Sequence, residues 1–493
     1  MIKDSQTTDN KNKPPKTQHE IIATIFHILC KIYRNLILNC DDDRYNNEET
    51  YHDIVQLYDF IGMDYDEAED YTDALCCYNE AIELFNRFLD EDTYFGLKRD
   101  IIGDIANHYA LQGEFAKAAD ILNAAIQEAN ESNKDELHSI AELYSRLGNI
   151  HIETGHYSDA LSDYMKALNL RKQVFDSDDI NMFGIYSNLA TAYDNLGDKK
   201  AAVNFFSRAL ETLNKIPGEQ QDKKIDIFYN IANLYDSLYK YNEAKECYEK
   251  SLDYCLKYHP YDKMMIGKIK RGITSVLHSL GNNTDALSMA LEILRCEEKY
   301  LKKDSTHFAD TYRLLGIIHG EMGEYEKSIE YLEKNLQICD KLSLQNHQTV
   351  NTYINLAFDY SELRKFETAI DYCLKAATLS EKIHHPQHPE LASIYANIGS
   401  VFCDKKDYNQ ALWYLNKALL IQENTSSPNA FDLGVSYCTM GEIYQGLSNQ
   451  HIALEYYNKS LISFSLCLPE NDDRIQEVNQ NIQQLLAPES QDK

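Results

Sequence analysis

Apolar positions along this chain follow two rhythms at once. Within short stretches they recur every three to four residues, which places them on one face of a helix. Over a longer range the whole pattern returns. The segment LGNIHIETGHYSDALSDYMKAL (Leu147 to Leu168) reappears as LATAYDNLGDKKAAVNFFSRAL, as IANLYDSLYKYNEAKECYEKSL and as LGIIHGEMGEYEKSIEYLEKNL. A small marker residue phases the units: Gly62, Ala106, Gly148, Ala190, Ala232, Thr274, Gly316, Ala357, Gly399 and Gly441. Seven of the nine steps between markers are 42 residues, and the other two are 44 and 41. Twelve residues after each marker stands a second small residue: Ala74, Ala118, Ala160, Ala202, Ala244, Ala286, Ser328, Ala369, Ala411 and Ala453. An aromatic usually precedes it by three positions, as at Tyr71, Phe115, Tyr157 and Phe366.

This phasing predicts pairs of helices meeting at a tight turn. Small residues let the two backbones approach, and the aromatics fill the wedge beside them. Ten of the 19 glycines occupy two places in the unit, the marker and the turn seven residues later (Gly113, Gly155, Gly197, Gly281, Gly323). One pair has apolar residues on two faces and cannot bury itself, so the pairs must stack. The nine prolines fall in terminal segments or between units, where they break no helix. The sixth unit departs most. Lys270 and Asn283 replace aromatics and Ala290 replaces a large residue, so a looser joint is expected there.

In these residues the chain resembles the tetratricopeptide repeat family, over about Glu49 to Phe464 and ten units. The 42-residue period is longer than the basic unit of that family and is similar to the kinesin-light-chain type, and HPELASIYANIGSVF (His388 to Phe402) is close to that type's unit opening. The resemblance implies an all-α fold, a right-handed α-solenoid superhelix of about ten helix-turn-helix repeats, with the first helix of each unit lining a concave groove. The expected organisation is a tail over 1–17, an amphipathic helix over 18–40, an acidic linker over 41–50 and repeats over 51–464. A capping helix over 472–486, carried by Ile475, Val478, Ile482 and Leu485, and a tail over 487–493 complete it.

Composition narrows the function. With 48 basic and 78 acidic residues the net charge is −30, and no basic stripe exists to displace phosphate counterions, so nucleic acid is not an expected partner. The most apolar window, Ile21 to Leu38, contains His27, Lys31, Arg34 and Asn35 and reads as a helix packed on the protein rather than a membrane span. No secretory leader pattern and no CxxC pair are evident, so reduced thiols and a cytoplasmic location are expected. The HHPQHP run (His384 to Pro389) reads as a turn with proline starting a helix rather than a metal site. Cys247 and Cys373 fall at core positions, and the glycines lack the strand a phosphate loop requires. No catalysis, metal or cofactor is expected.

The expected groove positions lie six, three and two residues before the marker and one, four and five after it. They hold fifteen acids, among them Asp59, Asp66, Asp100, Asp104, Asp194 and Asp236, against four bases, Arg146, Lys268, Arg271 and Arg313. Asn188, Asn230, Asn355 and Asn397 share the place two residues before the marker, and Asn107, Asn149 and Asn233 the place after it. Asn is a mediocre helix former, so its recurrence inside helices calls for a reason. A side-chain amide both donates and accepts, and a row of them suits the backbone of an extended peptide. Kinesin light chains hold cargo peptides with a comparable row, so the resemblance implies the same use here.

The candidate site is therefore Asn149, Asn188, Asp194, Asn230, Asn233, Asp236, Asn355 and Asn397, with Lys268, Arg271 and Arg313 as a secondary anion patch. The expected function is a non-enzymatic adaptor for linear, basic or amide-rich segments of partner proteins. Two alternatives stay open: a kinesin-light-chain-like motor-cargo adaptor, and the regulatory arm of an enzyme complex acting in trans. The sequence leaves the oligomeric state open.

Overall fold

A computed structural model describes residues 47–129, 136–175, 180–215, 221–301, 305–383, 388–424, 429–469 and 472–486, with eight positions between 24 and 35. The expected tails, most of the 18–40 helix and of the 41–50 linker, and His384 to Gln387 of the histidine run lie outside the described residues. Among the described residues there are 21 complete helices and no strand. They form two compact units, Met1–Lys240 and Tyr241–Lys493.

The first unit pairs α1 (Glu48–Glu67) with α2 (Tyr71–Phe88), and α3 (Glu91–Leu111) with α4 (Phe115–Glu128). It continues with α5 (Leu137–Glu153) and α6 (Tyr157–Val174), α7 (Asn181–Asn195) and α8 (Lys199–Lys215), and ends on α9 (Lys223–Ser237). The second unit opens on α10 (Tyr241–Tyr258), then pairs α11 (Lys263–Ser279) with α12 (Asn283–Tyr300) and α13 (Thr306–Glu321) with α14 (Tyr325–Lys341). The pairs α15 (His347–Glu362) and α16 (Phe366–Ile383), α17 (Pro389–Asp404) and α18 (Tyr408–Asn424), α19 (Ala430–Gly446) and α20 (Gln450–Ser465) follow, then α21 (Asp473–Leu486). Helix α1 starts at Glu48, capped by Asn47, whose side chain accepts from Thr50 N at 2.9 Å, so helix replaces the end of the expected linker. At His388–Pro389 the expected turn is present, with Pro389 opening α17.

All ten markers and all ten second small positions are buried. The close approach is literal: a Cβ on Gly148 would stand 2.5 Å from Tyr164 Cε1, and one on Gly399 would stand 2.6 Å from Leu415 Cγ. Every turn seven residues after a marker has positive φ. Glycine fills five of them, with φ of 74 to 83°, and Glu69, Tyr239, Arg364, Lys406 and Ser448 fill the rest at 59 to 65° or, for Arg364, 56°. The φ is thus a demand of the turn, and glycine is one way of meeting it.

Beside the markers, aromatic rings three and fifteen residues on stack in parallel. Tyr193 with Phe205, Tyr360 with Tyr372, Phe402 with Tyr414 and Tyr444 with Tyr456 lie 5.3 to 5.7 Å apart with interplanar angles of 3 to 11°. In the third repeat the same two places hold His151 and Asp163, 2.9 Å apart, so a polar pair replaces the stack. Much of the tyrosine content is therefore structural.

Within each unit the paired first and second helices pack on each other, and each second helix packs on the next first helix. First helices of successive repeats also touch, as do α3 and α5 or α17 and α19. Within each unit the first helices thus form the inner layer. The described residues of the 18–40 segment pack on the first repeat: Cys30 is buried, His27 lies against Tyr58 and Tyr65, and Arg34 pairs with Glu80. At the far end Ile475 and Val478 of α21 bury against a cluster containing Tyr457 and Phe464.

Candidate functional site

In the first unit two of the expected groove positions meet. Arg146 on α5 donates to Asp104 on α3 at 2.7 Å, and both stand two residues before their markers. Side chains at this place in neighbouring first helices therefore meet edge to edge. Asn188 on α7 and Asn230 on α9 continue the same register, and both are half-buried.

Asn149 and Asn188 come together. With Asn107, Arg146, Glu153 and Thr191 they line an open concavity of about 560 Å³ in the first unit. Its floor is apolar, from Leu122, Ile150 and Phe115. Tyr164 supports it from below: its hydroxyl donates to Asn149 Oδ1 at 2.6 Å, which leaves the amide nitrogen turned to other partners. Recurrence of asparagine did not reveal this tyrosine. Its signal is a different one, Tyr sixteen residues after a Gly marker, as at Tyr78, Tyr164 and Tyr457. In the other two cases the hydroxyl donates to Asp66 at 3.0 Å and to Gln445 at 2.7 Å, again on the first helix.

Asp194, Asn233 and Asp236 lie on the same face of α7 and α9 but do not line this concavity. Asp194 and Asn233 are exposed, and burial raises the Asp236 carboxyl above its ordinary value. In the second unit Asn355 on α15 and Asn397 on α17 hold the shared place, half-buried and exposed respectively.

The acidic surplus is partly internal, contrary to the expectation that it faces a groove. Asp66 is buried between Tyr78 and His108, with His108 Nδ1 2.6 Å away. Asp59 and Asp104 are also buried, and burial followed by the neighbouring Asp104 and Asp100 carboxylates pushes Asp59 up. These acids sit among partners because the first helices approach closely there, and spacing alone cannot separate an inner face from its buried edge. Farther along, burial raises Asp359 to about 6 and Glu442 to about 7.

The basic patch is likewise committed in part. Arg271 donates to Glu297 at 2.6 Å and lies 2.9 Å from His307, while Lys268 is exposed. Burial lowers the Arg313 guanidinium despite nearby Asp310.

Among the described residues no group of three or more His, Cys, Asp or Glu is placed to hold a metal, and no helix is long and apolar enough to cross a membrane. The eleven described cysteines are free thiols.

Sequence profiles described as tetratricopeptide repeat match residues 100–173, 181–257, 348–419 and 390–461, and a second such profile matches 308–348. Together they span more than half of the chain. The chain is a tetratricopeptide repeat protein. The family's repeats build protein-interaction scaffolds. A comparison with curated proteins found no match. Solved structures share the fold. The apo quorum sensor NprR from B. thuringiensis is 17% identical, with TM-score 0.55, over 74% of this chain and 98% of its own. A Rap protein complexed with Competence and Sporulation Factor is 14% identical, with TM-score 0.50, over 79% of this chain and 99% of its own. Repeats described as those of a P. anserina kinesin light chain are 15% identical, with TM-score 0.36, over 42% of this tetratricopeptide repeat chain and 100% of their own.

Proposed function

We propose that this protein is a non-enzymatic adaptor that holds extended segments of partner proteins along the first helices of its repeats. One observation carries the reading: Asn107, Asn149 and Asn188, from three successive first helices, line a single concavity. Their spacing along the helix row suits a chain in extended conformation, whose backbone offers a donor and an acceptor at every residue. Amides satisfy both without selecting side chains, and the apolar floor accepts one anchor residue. Asn230, Asn233, Asp194 and Asp236 extend the first unit's surface, and Asn355 and Asn397 provide the equivalent in the second. The similar Rap protein complexed with Competence and Sporulation Factor supports this reading.

The acids still exposed, with the overall charge of −30, favour basic or amide-rich segments. Lys268, Arg271 and Arg313 are the candidate secondary anion patch, with Arg271 already paired to Glu297. The free thiols fit a cytoplasmic setting.

The test is a peptide array probed with the full chain and with Asn149→Ala/Asn188→Ala. Basic and amide-rich peptides should dominate, and the double variant should bind them about tenfold more weakly, one to two hydrogen bonds' worth. Acidic winners, or equal binding by the variant, would refute the proposal.

A further inference from the structure

The chain's one tryptophan, Trp413, lies on α18, a second helix of the second unit, and is 52% exposed. Its place, fourteen residues after the marker, holds an acid in four other repeats. There Glu246, Glu330, Asp371 and Glu455 pair with Lys250, Lys334, Lys375 and Lys459, one turn on, at 2.6 to 3.0 Å. The ninth repeat keeps the lysine, as Lys417, and loses the acid. The Lys417 ammonium lies 4.0 Å from the centre of the Trp413 ring and 5.1 Å from that of Tyr395. Among the described residues no carboxylate pairs with it, and Glu381, beside Tyr395, already accepts from the Tyr395 hydroxyl at 2.7 Å.

Leu420 completes the stripe, since residues four and seven places after Trp413 share its face of the helix. In eight repeats the equivalent of Leu420 is polar, as at Glu83, Asp253 and Thr378, and it is apolar only here and at Ile462 on α20. Leu420 and Ile462 are both 65% exposed. We infer that this face docks an amphipathic helix of a partner protein, which sets two apolar residues seven places apart on Trp413 and Leu420 and one carboxylate between them on Lys417.

Each part of that description has its own cause. The stripe runs along a helix and offers no free backbone edge, so a second helix matches it by packing ridge against groove, and a strand does not. Tryptophan supplies a large contact area with little rotamer freedom to lose. Lys417 has its cation held over a ring and lacks the acid its counterparts have, so a carboxylate is the complement. The net charge of −30 repels a strongly acidic helix, so the rest of the partner's helix is neutral or basic. A second copy of this chain does not fit. Two-fold pairing on this face places Lys417, midway between Trp413 and Leu420, against its own copy. The asparagine surface lies on the first helices, and no part of the adaptor reading uses α18.

Trp413 also makes the face testable, because the fluorescence of the only indole reports on it directly. The probes are Trp-free helical peptides of about 15 residues, long enough to populate helix. Each carries two leucines seven places apart with Glu, Gln or Lys midway, on a background of alanine and glutamine with one lysine. The full chain should give a saturable fluorescence change with the Glu peptide, about fivefold tighter than with the Gln peptide, the effect of one exposed ion pair. The Lys peptide should bind weakest, although net charge alone favours it. Trp413→Glu supplies the acid that other repeats carry, so helical content and Tm should be retained. By calorimetry it should weaken the Glu peptide at least about tenfold, as a lost aromatic anchor does. Leu420→Gln, which copies Gln337, should also weaken it. Lys417→Gln should bring the Glu and Gln peptides to parity, and Asn149→Ala/Asn188→Ala should bind like the parent.

Absence of saturation up to about 1 mM peptide, tightest binding by the Lys peptide, or undiminished binding by Trp413→Glu would overturn the inference. Loss of binding in the asparagine variant would place the peptide on the first helices and overturn it too. So would a parent dimer in sedimentation that Trp413→Glu dissociates, since the face would then belong to a second copy.

Discussion

Consider Gly148→Ala. An ideal Cβ there would lie 2.5 Å from Tyr164 Cε1, 2.7 Å from Cδ1 and 2.9 Å from Cζ, about 1 Å inside ordinary contact. The ring cannot swing away cheaply. Tyr164 is 2% exposed, and its hydroxyl is tied to Asn149. Overpacking of this kind costs about 1–3 kcal/mol. Tyr164→Leu alone leaves a partial cavity and should cost about 2 kcal/mol. The second repeat suggests the remedy, because it pairs marker Ala106 with Leu122 and buries both. The double variant Gly148→Ala/Tyr164→Leu should therefore be about 1–2 kcal/mol more stable than the sum of the singles predicts. Repeat arrays unfold in segments, so the assay is urea unfolding by circular dichroism, with hydrogen exchange resolved over Leu137–Val174. Strict additivity would show that the marker and the residue sixteen places on are not matched in volume, and the packing argument would fail.

Three further outcomes follow from the same structure. At Gly155, φ is 77° and an added Cβ meets nothing within 4 Å, so Gly155→Ala should cost about 1 kcal/mol through backbone conformation alone. Gly155→Asn should cost less, and the reverse order in thermal melts would contradict the turn argument. Because Asp59 is held above its ordinary pKa, the folded state keeps a proton that the unfolded state loses near pH 4. Stability of the first unit should therefore fall as pH rises from about 4 toward the folded value, and Asp59→Asn should flatten that slope in urea titrations. Were the variant to titrate like the parent, the buried carboxyl would not be the cause. Deleting residues 472–486 removes Ile475 and Val478 from Tyr457 and Phe464. The truncated chain should self-associate in analytical ultracentrifugation more than the full chain, and a sedimentation profile unchanged from the parent would deny α21 its capping role.

Much of the architecture was legible in the chain. Ten markers, ten second small residues and the turn position each identify one place in a repeating unit, and helix geometry converts their spacing into contact. The turn at Lys406 or Arg364 was not legible from composition, since neither residue advertises positive φ. The candidate site was legible as a register: Asn149 and Asn188 belong to places that face the same way on successive helices.

What the sequence determined by itself is everything local and periodic, because a helix of known phase fixes which residues share a face. Tertiary structure alone decided which polar residues on that face meet a neighbour. It turned Asp59, Asp66 and Asp104 inward, spent Arg271 on Glu297, and set Tyr164 beneath Asn149. The physical reason is distance. Repeat spacing gives direction around an axis, whereas hydrogen bonding and desolvation depend on a few ångströms between axes, which only packed side-chain volumes determine.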